Sequence, residues 1–112
     1  MVGIIREQAQ AATLIEITRR EVEAYVAESD DAICYPVLDD THQTYSVIIV
    51  ENERTDQSIW VMVMARVVGN FVVIEEDRTD KPLRDALMVN GGIPREQIIL
   101  AYKGETLPDS TE

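Results

Sequence analysis

Between Ile4 and Ala27 apolar residues recur at three, four or seven positions, as Ile5, Ala12, Ile15, Val22 and Val26, while Arg6, Glu7, Glu16, Arg19, Arg20 and Glu23 fill the intervening face. That spacing predicts one long amphipathic helix, and Glu16, four residues before Arg20, is placed for a helical ion pair. The polar run Glu28-Ser29-Asp30-Asp31 ends it. Three apolar runs follow, over Ile33–Leu38, Tyr45–Val50 and Ile59–Val68, and each predicts a strand. Pro36 cannot donate to a ladder, which puts the first strand at an edge or a bulge. Gly69-Asn70 predicts a tight reversal into a fourth strand, Phe71–Ile74.

The next segment changes period. Thr79 and Asp80 are candidate N-caps, Pro82 falls in a first turn, and Leu83, Ala86 and Leu87 repeat at helical spacing, so Lys81–Asn90 predicts a shorter helix. Asn90-Gly91-Gly92 stops it, and Pro94 leads into Ile98-Ile99-Leu100, a final short strand or turn. The pattern predicts an α+β fold: a long N-terminal helix, an antiparallel sheet of about four strands, and a shorter C-terminal helix. A single domain over residues 1–103 accounts for these elements, and residues 104–112, polar and interrupted by Pro108, predict a disordered tail.

The middle strands are apolar on both sides. Strict alternation along the third puts Ile59, Val61, Val63, Ala65 and Val67 on one face and Trp60, Met62, Met64 and Val68 on the other, with Arg66 the single charge. A sheet wet on one side would alternate apolar with polar, so both faces call for cover. Either the two helices divide between the faces, or both pack on one and leave the second to another subunit or partner. Because Met and Trp are enriched at interface cores, Trp60, Met62, Met64 and Val68 are the candidate interface, and a homodimer or higher oligomer is expected.

Charge narrows the partners. With 21 acidic against 10 basic residues in 112, the net charge of −11 opposes phosphate, so direct nucleic-acid binding is not expected. Arg19-Arg20 is the one adjacent basic pair, and it sits among glutamates. The lone Cys34 excludes an internal disulfide framework and fits a reducing cytoplasm, and no apolar run approaches the length of a membrane span.

Candidate chemistry is sparse. Glu75, Glu76, Asp77 and Asp80 gather carboxylates, but without EF-hand spacing, and adjacent strand residues such as Glu75 and Glu76 point apart; the reading is structural, with Asp80 as helix cap. His42 beside Asp39 and Asp40 reads as a solvated turn, and Cys34, with no cation nearby, as a packed thiol. Gly91-Gly92 follows a helix instead of opening one, so it is no phosphate loop. No catalytic residue, metal site or cofactor is assigned.

The stretch from Glu75 to Tyr102, with EEDRTDKPL, DAL and GIPREQIILAY, resembles the C-terminal half of the XisI-like proteins, the fdxN-element excision controlling factors. The matching positions are Glu76-Asp77, Thr79, the helix Lys81–Asn90, Gly92-Ile93-Pro94 and Ile98-Ile99-Leu100. Upstream, only the order of elements fits. In the middle, Glu51-Asn52-Glu53-Arg54 and Met62-Val63-Met64 stand where many members carry Gly-Trp and Ile-His pairs. The resemblance implies a non-enzymatic accessory protein of site-specific DNA excision in cyanobacteria, acting beside a recombinase and a companion protein, XisH. The alternatives are a small carboxylate- or metal-dependent enzyme, suggested by Glu76, Asp77 and Asp80, and a direct DNA-binding factor, which the charge opposes.

Overall fold

The structure, a computed structural model, describes residues 11–54, 56 and 58–108. The first seven residues of the expected N-terminal helix and the last four of the expected tail lie outside the described residues. Helix α1 covers Ala11–Glu23, β1 Ala32–Asp39, β2 Thr44–Glu51, β3 Ile59–Val68, β4 Phe71–Asp77, α2 Leu83–Val89 and β5 Ile98–Leu100, with 3₁₀ turns on either side of β5. The fold is α+β, with the five strands in the order β1-β2-β3-β4-β5. The first four form the antiparallel meander that the consecutive reversals predict. β5 pairs parallel to β4 after a crossover through α2, which makes the sheet mixed. Pro36 lies on an edge strand, as its missing N–H requires, and the reversal at Gly69 uses a positive φ of 59°.

Both helices lie on the same face of the sheet. Leu14, Ile17 and Val22 of α1 and Leu83 and Leu87 of α2 share one core with Tyr45, Val47, Val63, Ala65, Val72 and Ile74. The two helices therefore do not divide between the faces, and among the described residues no helix covers the opposite one. The close approach of the helices depends on Gly91, where a Cβ would stand 2.5 Å from Ile17 Cγ2 and 2.7 Å from the Leu87 carbonyl oxygen. Beside it Gly92, at φ 70°, closes α2: its N–H donates to Met88 O at 3.1 Å and the Ile93 N–H to Leu87 O at 3.1 Å, so the last carbonyls of the helix are satisfied by the chain that leaves it.

Helix α1 ends four residues before the periodicity does. The amides of Tyr25 and Val26 donate to Val22 O and Glu23 O, three residues back, so the last turn tightens and releases the chain. Tyr25 is thereby free to turn and donate its hydroxyl to the Lys81 carbonyl, tying this end to the loop before α2. The expected Glu16–Arg20 pair does not form; Arg20 instead pairs with Glu21 at 3.0 Å, and Glu21 also accepts from Asn90 Nδ2 at 3.2 Å, linking α1 to α2. Toward the other terminus, Glu105 follows the second 3₁₀ turn. Its carboxylate accepts from the Leu100 amide at 2.9 Å and from Arg95 Nη2 at 2.7 Å.

Two irregularities decide which side chains face where. Opposite β2, Val47 pairs with Val63 but Ile48 pairs with Val61, so Met62 is an extra residue in β3. Opposite β4, Met64 pairs with Glu76 but Ala65 pairs with Ile74, so Glu75 is extra in β4. Each bulge shifts the alternation by one, and every residue beyond it changes face.

Candidate functional site

The bulge at Met62 divides the four residues that strict alternation puts together. Trp60 is opposite Ile49 in the ladder, and both Trp60 and Met62 pack against the helix-covered core. Met64, Val68, Ile59 and Val61 point to the uncovered face instead. The surface that results is a grid of three rows across β1, β2 and β3: Ile33, Val50 and Ile59; Tyr35, Ile48 and Val61; Val37, Ser46 and Met64. Eight of its nine members are apolar and none is charged. The most exposed members are Ile33 and Tyr35 at 48%, Val37 at 47% and Ile59 at 60%.

The remainder of that face is closed locally. Val73 and Ile99 are buried, and Arg66 and Glu75 form an ion pair beside them. The bulge at Glu75 accounts for that pair: it turns Glu75 and Glu76 to the same side, contrary to the expectation that adjacent residues diverge. The three β1 members were legible in the period-two spacing Ile33, Tyr35, Val37, which the sequence pattern of β3 overshadows.

On the core side of the sheet, Tyr25, Trp60, Met62, Arg78 and Lys81 line a shallow cleft of about 380 Å³. Trp60 Nε1 donates to Glu51 at 2.8 Å, and the Arg78 guanidinium stands 5.1 Å from the ring centroid, so the indole is held on its edge and covered on its face. Burial pushes the Tyr25 phenol up to about 12. It is a neutral donor to Lys81, not a base.

Asp77 overturns the assignment of Asp80 as the cap of α2. Pro82 occupies the position before Leu83 and makes no side-chain cap. The Leu83 N–H, first of the helix, donates to Asp77 Oδ2 at 2.7 Å, while Asp77 Oδ1 accepts from the Thr79 N–H at 2.9 Å and from the Thr79 hydroxyl. Asp77 lies opposite Val63 on the core side of the sheet, which aims its carboxylate at the start of the helix. Among the described residues no three His, Cys, Asp or Glu side chains are gathered as a metal site.

His42 is exposed in the β1–β2 turn. Its Nδ1 is 2.7 Å from Asp39 Oδ2, and its amide donates to Asp39 Oδ1 at 3.1 Å. Those bonds, the amide first, hold the Asp39 carboxyl below its usual range. Cys34 is a half-buried free thiol against the core. Among the described residues no helix is long and apolar enough to cross a membrane.

A family model described as XisI protein matches residues 6–112. The chain belongs to the XisI family. A XisI-like protein from Anabaena variabilis superposes with a TM-score of 0.71 at 18% identity, over 81% of this chain and 85% of its own. The fdxN element excision controlling factor XisI from the same organism gives 0.60 at 20% identity, over 91% and 94%. At these identities the two crystal structures establish a shared XisI fold. No curated protein sequence matches the chain.

Proposed function

We propose that this XisI-family chain is a non-enzymatic accessory factor in the control of site-specific DNA excision, acting through protein partners, a XisH-like protein among them. The observation that carries the reading is the family match over residues 6–112, together with a solved relative that is named as an excision controlling factor. The state of the polar side chains supports a role without chemistry of its own: Asp77 anchors α2, Glu75 neutralises Arg66, and Asp39 holds a turn. A net charge of −11 supports action through proteins over direct contact with DNA, since it forfeits the counterion release on which non-specific affinity depends.

Deletion in the source organism, with quantitative amplification of excision junctions, tests the reading. Junctions are expected to fall and to return on complementation. Unchanged junctions would overturn it. Co-expression with a XisH-like protein tests the partner, which is expected to co-purify with the tagged chain. A gel shift of duplex DNA by the isolated protein at about 150 mM salt would replace the partner-mediated reading with direct binding.

A further inference from the structure

We infer that the apolar grid on the uncovered sheet face is the interface between two copies of this chain. With four members about half exposed and the rest adding their margins, the grid presents on the order of 600 Å² of contiguous apolar surface, the upper end of what a soluble monomer carries. Two such faces in contact bury on the order of 1,200 Å², the threshold of a stable specific interface.

The identity of the occupant follows from charge and shape. None of the nine grid positions is ionised, so a partner selected by complementarity to the net charge of −11 finds nothing to read there. The grid is instead a pleated, uncharged sheet surface, and its natural complement is another such sheet, packed face to face at about 10 Å. A two-fold axis through the middle row, near Ile48, uses each contact twice. Pro36 argues for faces over edges. It removes a donor from the centre of β1, so strand addition along that edge is interrupted while the face above it stays continuous. The dimer does not depend on the excision reading, and it stands or falls separately.

Sedimentation equilibrium on the full chain between about 1 and 100 μM provides the test. The wild-type protein is expected to be dimeric at tens of micromolar. Tyr35→Lys and Ile59→Lys place charge at positions already about half exposed, so the monomer tolerates them, and each is expected to raise the dimer Kd by about 100-fold or more. Val89→Lys, at an 81% exposed position on α2, is expected to leave assembly unchanged. Raising salt from about 50 to 500 mM should tighten the dimer by screening repulsion between like-charged copies. A monomer at 100 μM, or a dimer equally strong in all three variants, overturns the proposal. So does a dimer that salt weakens, because that marks an ion-paired interface elsewhere.

Discussion

Replacing Asp77 by Ala removes three bonds at one stroke, those from the Leu83 amide at 2.7 Å, the Thr79 amide at 2.9 Å and the Thr79 hydroxyl. Loss of a helix cap costs about 0.5–2 kcal/mol and loss of bonds to a charged acceptor about 1.5–3 kcal/mol, while water entering this half-exposed loop recovers part of both. The expected loss is therefore about 2–3 kcal/mol. At about 2.1 cal/mol/K of unfolding entropy per residue, a chain of this length loses roughly 10 °C in Tm for that change. Asp77→Asn keeps one oxygen for Thr79 but presents an amide group to Leu83, so it should fall between. Asp80→Ala touches none of these bonds and is expected to stay within about 0.5 kcal/mol of wild type. The assay is far-UV circular dichroism on heating and in urea, at one fixed protein concentration so that assembly contributes equally. An Asp77→Ala protein as stable as wild type, or an Asp80→Ala protein losing as much, would show that Asp77 does not anchor α2.

Gly91→Ala and Gly92→Ala separate close approach from backbone strain. The first drives a Cβ into Ile17 and the Leu87 carbonyl and should cost roughly 2–3 kcal/mol, whereas the second meets open space and should cost about 1 kcal/mol from its positive φ, so the urea midpoints are expected in that order. Glu105 predicts a local acid response. Its carboxyl is held below its usual range, chiefly by the Leu100 amide and then by Arg95. The stability it contributes is thus present above the ordinary carboxylate pKa and lost as pH falls through the lower folded value. The protection factor of the Leu100 amide is expected to drop across that window, and Glu105→Gln to remove the pH dependence.

Local grammar is enough to place most of the elements this chain forms. Apolar runs bounded by Asp, Asn and Gly mark the strands, Asn90-Gly91-Gly92 marks the end of α2, and Pro36 marks an edge, because each signal acts through the backbone of its immediate neighbours. The family was legible for the same reason, since its motifs cluster in the contiguous stretch from Glu76 to Leu100. What those elements face depends on contacts between strands and helices. A bulge is a property of two strands in register, so no reading of β3 alone could send Trp60 and Met62 to the core and Ile59 and Val61 to the open face. Asp77 caps α2 from six residues before Leu83, a distance at which the β4 pairing and not the helix aims the carboxylate. The shared face of the two helices rests on Gly91, whose missing Cβ acquires meaning only when Ile17 of another helix lies 2.5 Å from where it would be. Contacts across dozens of residues fix orientation, and orientation determines which of two equally apolar strand faces is left uncovered.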